Sequence, residues 1–207
     1  MKHLRQYIRQ VLLTEGMNTP DMLPDHVVVA IKPLPSANFL VYYGYKDNPN
    51  QIVTKGSGTV MGRITMGGVA RNGIGNCGGA MKVDSANALS GWGPMLYDVA
   101  MEYATQIANG LFADRDEVSE EARKVWNYYM NNRDDVIAHQ LDDTRNSLTP
   151  VEEDNCDQEV AGGFTSMYSR AEEPENPDWM KSSLSKRYTK EPTTINALKS
   201  ASKLVML

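Results

Sequence analysis

Between Val83 and Leu96 the chain runs Val83-Asp84-Ser85-Ala86-Asn87-Ala88-Leu89-Ser90-Gly91-Trp92-Gly93-Pro94-Met95-Leu96. An apolar start, two glycines around a tryptophan, and a proline before further apolar residues predict a strand, a turn and a helix start. Amides in the first turn of a helix have no partner within the helix, and with the helix dipole they bind phosphate oxygens. Glycine allows the backbone to reach positive φ and to approach a ligand closely. The chemistry on offer is anion binding, and a pyrophosphate-bearing cofactor suits it. A plain strand-to-helix turn accounts for the same residues equally well, and Pro94 removes one N–H. Both readings stay open on the residues alone.

Other chemistries find little footing. His3, His26 and His139 have no neighbouring ligand set for a metal. No Ser-His-Asp order or nucleophile elbow is present. Gly73-Ile74-Gly75 lies in the glycine-rich run Gly67 to Gly79, which opens no helix, so a dinucleotide or phosphate loop is not expected there. Asp134-Asp135 and Asp142-Asp143 read as solvated carboxylates. The two cysteines, Cys77 and Cys156, stand far apart without metal spacing and are expected as reduced thiols or incidental residues. A net charge of -5 advertises no nucleic-acid partner. No run of about twenty apolar residues is present to span a membrane, so the protein is expected to be soluble.

The elements that must position the turn follow from the pattern around it. Val27-Val28-Val29-Ala30-Ile31 reads as a buried strand, and Phe39-Leu40-Val41-Tyr42-Tyr43 as a second. Thr59 to Thr65 is a weaker third, Gly67 to Gly79 a loop or distorted hairpin, and Ala80-Met81-Lys82-Val83 a short strand. After Pro94, the residues Leu96, Val99, Ala100, Tyr103 and Ile107 recur at helical spacing until Asn109-Gly110. Leu111-Phe112-Ala113 is a further short strand. Ser119 caps a second helix with Glu120 and Glu121 in its first turn and Ala122, Val125, Trp126 and Tyr129 as its apolar stripe. Asp134-Asp135-Val136 closes the readable part. Val151 to Asp178 is an acidic surface excursion with Trp179 as an anchor, and Thr193 or Thr194 caps a last helix carrying Ile195, Leu198 and Val205.

In this order of elements the stretch from Val83 to Val136 resembles the cofactor-binding core of the GNAT superfamily of acyl-CoA N-acyltransferases. Gly91-Trp92-Gly93 with Met95-Leu96 matches that family's pyrophosphate loop and helix start. Leu111-Phe112-Ala113 matches its next strand, and Ser119-Glu120-Glu121-Ala122 opens its second helix. The resemblance implies an α/β (α+β) fold, with a mixed, mostly antiparallel sheet flanked by helices. It implies acetyl-CoA or another acyl-CoA as cofactor and an amine of a protein or small molecule as acceptor. Val83, Ser85, Gly91, Trp92, Gly93, Met95 and Leu96 would hold the cofactor. Asp84 would take the acceptor's proton, and Tyr128 or Tyr129 would protonate the leaving thiolate. Two departures stand out. Ala88 replaces the family's usual Arg or Gln three residues before the first loop glycine, and Trp126 holds the position where it often carries a tyrosine acid. They keep a non-catalytic domain of the same build, a virion or host-factor-binding protein, as the alternative.

The first sixteen residues read as a basic amphipathic helix with Leu4, Ile8, Val11 and Leu12 on one face. They are similar to the capsid-targeting peptides of large contractile-tailed bacteriophages, in which a prohead protease cuts after Leu-x-Glu. Leu13-Thr14-Glu15 followed by Gly16 fits that pattern, while an ordinary first helix packed on the domain fits it too. The likeness implies a phage protein packaged in the head, with the prohead scaffold or a host protein as partner and the host cytoplasm as destination. The expected organisation is 1–16 as a targeting helix, 24–150 as the GNAT-like domain, and 151–207 as an acidic excursion with a basic C-terminal helix.

Overall fold

The computed structural model describes residues 17–56, 58–68, 77–115, 118–142, 156 and 179–207. The expected targeting helix, with Glu15 and Gly16, lies outside the described residues. So does the acidic excursion apart from Cys156.

The chain begins with two long strands, β1 (Val27–Leu34) and β2 (Asn38–Tyr45), paired antiparallel through a tight turn at Pro35–Ala37. The first five residues of β1 are all buried, as a continuous apolar run requires. A small ribbon of β3 (Thr54–Lys55) and β4 (Thr59–Val60) precedes β5 (Gly62–Gly68), which pairs antiparallel with β2. Next comes β6 (Met81–Ala88), antiparallel to β5 and five residues longer at its end than the expected strand. Helix α1 (Gly93–Ile107) leads to β7 (Leu111–Ala113), parallel to β6. Helix α2 (Glu120–Asn132) leads to β8 (Val136–Gln140). The described chain then resumes with β9 (Lys186–Lys190), α3 (Thr193–Ser200) and β10 (Leu204–Met206).

The eight-stranded sheet has the order β10-β1-β2-β5-β6-β7-β9-β8 and is mostly antiparallel, with β3 and β4 as a separate small sheet. The fold is therefore mixed α/β, as expected at that level. Leu96, Val99 and Met101 of α1, Trp126 and Tyr129 of α2, and Ile195 and Leu198 of α3 share one core with Met81, Val83, Leu111 and Ala113 of the sheet. Phe112 alternates to the other side, where it meets Cys77, Ala80, Leu141 and Cys156.

Local signals set the helix limits. Ser119 caps α2, its Oγ accepting from Ala122 N at 3.1 Å. Past α1, Gly110 has φ +104°, and a Cβ there would stand 2.5 Å from Tyr188 O, so β9 closes on this turn only because it is glycine.

Several expectations are corrected. β8, β9 and β10 were not foreseen, whereas the last helix carrying Ile195 and Leu198 was, and it stands as α3. Val205 lies in β10, because Ser202 takes a left-handed φ of 54° and ends the helical run. α3 begins after Pro192 without a side-chain cap of its own, so neither Thr193 nor Thr194 plays that part. Asp142 is fully buried, with Arg115 donating to its backbone carbonyl, and is no surface carboxylate. Cys77 and Cys156 are joined in a disulfide rather than present as thiols.

The cap that α3 lacks comes from α1. Glu102 is buried and accepts from Thr194 N at 2.8 Å and Ile195 N at 2.7 Å, while the Lys190 ammonium of β9 pairs with the same carboxylate. Deleting one member of a buried pair strands the other charge away from water and costs about 3–5 kcal/mol. Glu102→Ala is expected to lose stability on that scale in urea unfolding. Lys124→Ala, which removes an exposed i,i+4 pair with Glu120, should change it by less than about 0.5 kcal/mol.

Candidate functional site

β6 and β7 run side by side over three residue pairs, Met81 with Leu111, Lys82 with Phe112 and Val83 with Ala113, and then part. β6 continues to Ala88 with no described strand on that flank. The register with β5 slips at the same place: Val83 faces Met66 and Ser85 faces Thr65, leaving Asp84 as an extra residue. Such a bulge bends a strand and steepens its twist. The parting opens a cleft of about 380 Å³ walled by Val83 to Ala88, by the start of α1, by Ala113 and Asp114, and by the first two turns of α2.

The glycine turn is held from behind. Gly91 takes φ +79°, and its carbonyl accepts from Asn18 N at 3.0 Å. Trp92 N donates to Leu89 O, and the Tyr43 hydroxyl donates to Trp92 O at 2.7 Å. The indole of Trp92 meets the Tyr43 ring edge-on with centroids 5.5 Å apart. No side chain caps α1. Gly93 adds no bulk at the mouth, since a Cβ there would meet only the Ala88 Cβ at 3.6 Å. Gly93 and Leu96 line the cleft, so the start of the helix faces it.

Three charged side chains gather where the strands part. Lys82 Nζ lies 2.6 Å from Asp114 Oδ2 and 3.3 Å from Asp84 Oδ1. Burial alone would lower the Lys82 ammonium, but the hydrogen bond and charge of Asp114, followed by Asp84, outweigh it and hold it above the usual lysine range. Lys82 thereby ties β6 to the chain leaving β7 on the last shared step.

The expected site residues divide between the cleft and its surroundings. Val83, Asp84, Ser85, Gly93 and Leu96 line the cleft, while Gly91 and Trp92 shape the turn without lining it. Met95 turns to a second recess of about 520 Å³ on the other side of the helix start. Tyr128 opens onto that recess too. Tyr129 is buried, its hydroxyl donating to Asp98 Oδ1 at 2.7 Å with Pro94 O 3.2 Å away. Burial first, then Asp98, pushes its phenol well up. Neither tyrosine reaches the cleft; Trp126 and Tyr97 do. Tyr97, Lys82 and Asp114 are site residues that sequence reasoning missed. Tyr97 had a legible signal, its place four residues after Gly93 on one helix face. Asp114 follows β7 as Asp84 follows Val83 on β6, a parallel visible only once the two strands are known to be neighbours.

Among the described residues no group of three or more His, Cys, Asp or Glu side chains comes together to hold a metal, and no helix is long and apolar enough to cross a membrane. No protein family, curated protein or solved structure matches this chain.

The second recess is organised by Arg133. Its guanidinium reaches both Asp98 oxygens at 3.1 Å and both Asp135 oxygens at 2.7 and 2.8 Å, and stands 5.3 Å from the centre of the Tyr129 ring. The Arg133 hydrogen bond, helped by the charges of Arg133 and Lys190 and opposed by burial, lowers the Asp135 carboxyl from 3.8 to about 2. A carboxyl depressed in the native state stabilises the fold above its unfolded value and loses that contribution as pH falls through the native one. Asp135→Asn should therefore be less stable than the parent at neutral pH. The gap should close as pH drops from about 4 toward about 2, followed by urea unfolding at stepped pH.

Proposed function

We propose that this protein is an acyl-CoA-dependent N-acyltransferase of the GNAT type, passing an acetyl group from acetyl-CoA to an amine. The observation that carries the reading is the parting of two parallel strands beside an uncapped helix start. An extended pantetheine arm carries amides and suits the free flank of β6 beyond Val83 in the way a peptide adds to a sheet edge. The pyrophosphate suits the start of α1 at Gly93 and Leu96, where backbone donors and the helix dipole favour anions. A β6 amide beyond Val83 would polarise the thioester carbonyl as negative charge develops on it. Asp84, at the bulge, would accept the proton released by the attacking amine. The antiparallel β1, β2, β5 and β6, followed by α1, the parallel β7 and α2, support that reading.

A second reading, a domain of this build that catalyses no transfer, is favoured by one observation. Trp126 stands in the cleft at the family's acid position, and neither Tyr128 nor Tyr129 reaches it.

Calorimetry with acetyl-CoA tests the reading on the parent protein and on Gly93→Asp. The new carboxylate has room and favours the helix dipole, so the fold should be kept, whereas it repels a pyrophosphate. Binding at least about tenfold weaker in the variant, about 1.4 kcal/mol, is expected. A folded parent that binds no acetyl-CoA would overturn the proposal.

A further inference from the structure

The bulge in β6 gives Asp84 a place that no ladder partner fixes. Val83 faces Met66 and Ser85 faces Thr65 across β5, so Asp84 lies between them as an extra residue. An extra residue in a bulge re-aims its side chain and has no cross-strand residue of its own to pack against. The carboxylate is nonetheless lodged. Oδ1 lies 3.3 Å from the Lys82 ammonium, and Oδ2 rests against Gly67 of β5, where an added Cβ would stand 3.4 Å away. Only 13 % of the Lys82 side chain is exposed, against 35 % of that of Asp84, so the ammonium lies inward and the carboxylate meets the cleft. Lys82 itself is anchored from the neighbouring strand, because Asp114, just past β7, accepts from its Nζ at 2.6 Å.

We infer that Lys82 is a positioning residue: anchored on Asp114, it aims the Asp84 carboxylate into the cleft for the proton that the acceptor amine gives up. The inference rests on the acyltransferase reading above. A base must sit within hydrogen-bond reach of the proton it takes, and a displacement of about 1 Å can cost about a hundredfold in rate. Burial works against the Lys82 charge, but Asp114 and then Asp84 outweigh it, so the ammonium keeps its protons and acts only through Asp84. The other titratable groups on the cleft wall are Glu121 of α2 and Tyr97 of α1, whose phenol is pushed up to about 12 by burial. Among the described residues the charged group paired with Asp84 is Lys82. Because its anchor belongs to the chain leaving β7, the aim of the carboxylate is tied to the place where the two strands part.

Two carboxylates share Lys82, so removing it alone would leave both about its former place. The double variant Lys82→Met, Asp114→Asn avoids that, and Asp114→Asn alone is its control. Turnover is read across pH as thiol release from acetyl-CoA with hydroxylamine as the acceptor, whose own ionisation is common to every variant. In the double variant the acidic limb of kcat/KM should move up by about one pH unit, the low end of what losing a neighbouring opposite charge does to a carboxylate. Its kcat at neutral pH should fall about tenfold, with its acetyl-CoA Kd within about threefold of the parent. Asp114→Asn keeps the ammonium beside Asp84, so its limb should not rise. Lys82→Arg keeps the charge and should leave the limb in place. A purely structural tie predicts a less stable double variant with an unmoved limb, and that result overturns the role. A limb that rises equally in Asp114→Asn or in Lys82→Arg overturns it too. A parent that binds acetyl-CoA yet releases no thiol overturns it while sparing the binding site, and a parent that binds none overturns the acyltransferase reading itself.

Discussion

Glu102 carries its charge where no water reaches it, and two elements are arranged to make that bearable. β9 sends the Lys190 ammonium, α3 presents two backbone amides, and Thr193 adds its hydroxyl at 3.2 Å. A carboxylate so placed is costly unless its oxygens are occupied, which makes the arrangement a constraint on position as much as a source of stability. If α1 slid by one turn, the ammonium and both amides would lose their acceptor together. The helix that opens the cleft is thus pinned near its far end by a contact between residues about ninety positions apart.

With α1 fixed, the cleft needs only that two strands stop being neighbours. β7 is three residues long, and the bulge at Asp84 turns β6 away just where β7 ends. Lys82 pulls in the opposite sense, drawing Asp84 and Asp114 toward one ammonium on the last shared step. Opening and tie sit next to each other, so the apex of the cleft is defined to within a residue while its mouth stays wide.

What could be read from the sequence was what local chemistry decides. Pro94 near the start of α1, Asn109-Gly110 at its end, and Ser119 before α2 mark boundaries through their own backbone preferences. The apolar runs of β1 and β2 likewise needed no partner to be recognised. β9 was opaque for the opposite reason. Lys186-Arg187-Tyr188-Thr189-Lys190 looks like a solvated basic segment, and Lys190 is buried only because Glu102 waits for it from α1. The disulfide and the buried Asp142 belong to the same class, settled by partners distant in the chain. In the site, the strand and glycines were legible but the choice among tyrosines was not. Tyr128 and Tyr129 are adjacent on α2, and its rotation about its axis, set by Trp126 against Tyr97 and Tyr188, turns both away from the cleft.

The place of β9 and β10 has a consequence for the order in which the sheet can be completed. β9 sits between β7 and β8, and β10 closes the far edge beside β1, so one stretch from 186 to 206 completes both halves. Until it arrives, β8 has no strand to pair with and β7 exposes an open flank. A chain interrupted anywhere before residue 186 is therefore an unfinished sheet with two adhesive margins rather than a smaller version of the same protein. The stretch that reads in the sequence as a basic tail with one helix is the one that completes the sheet.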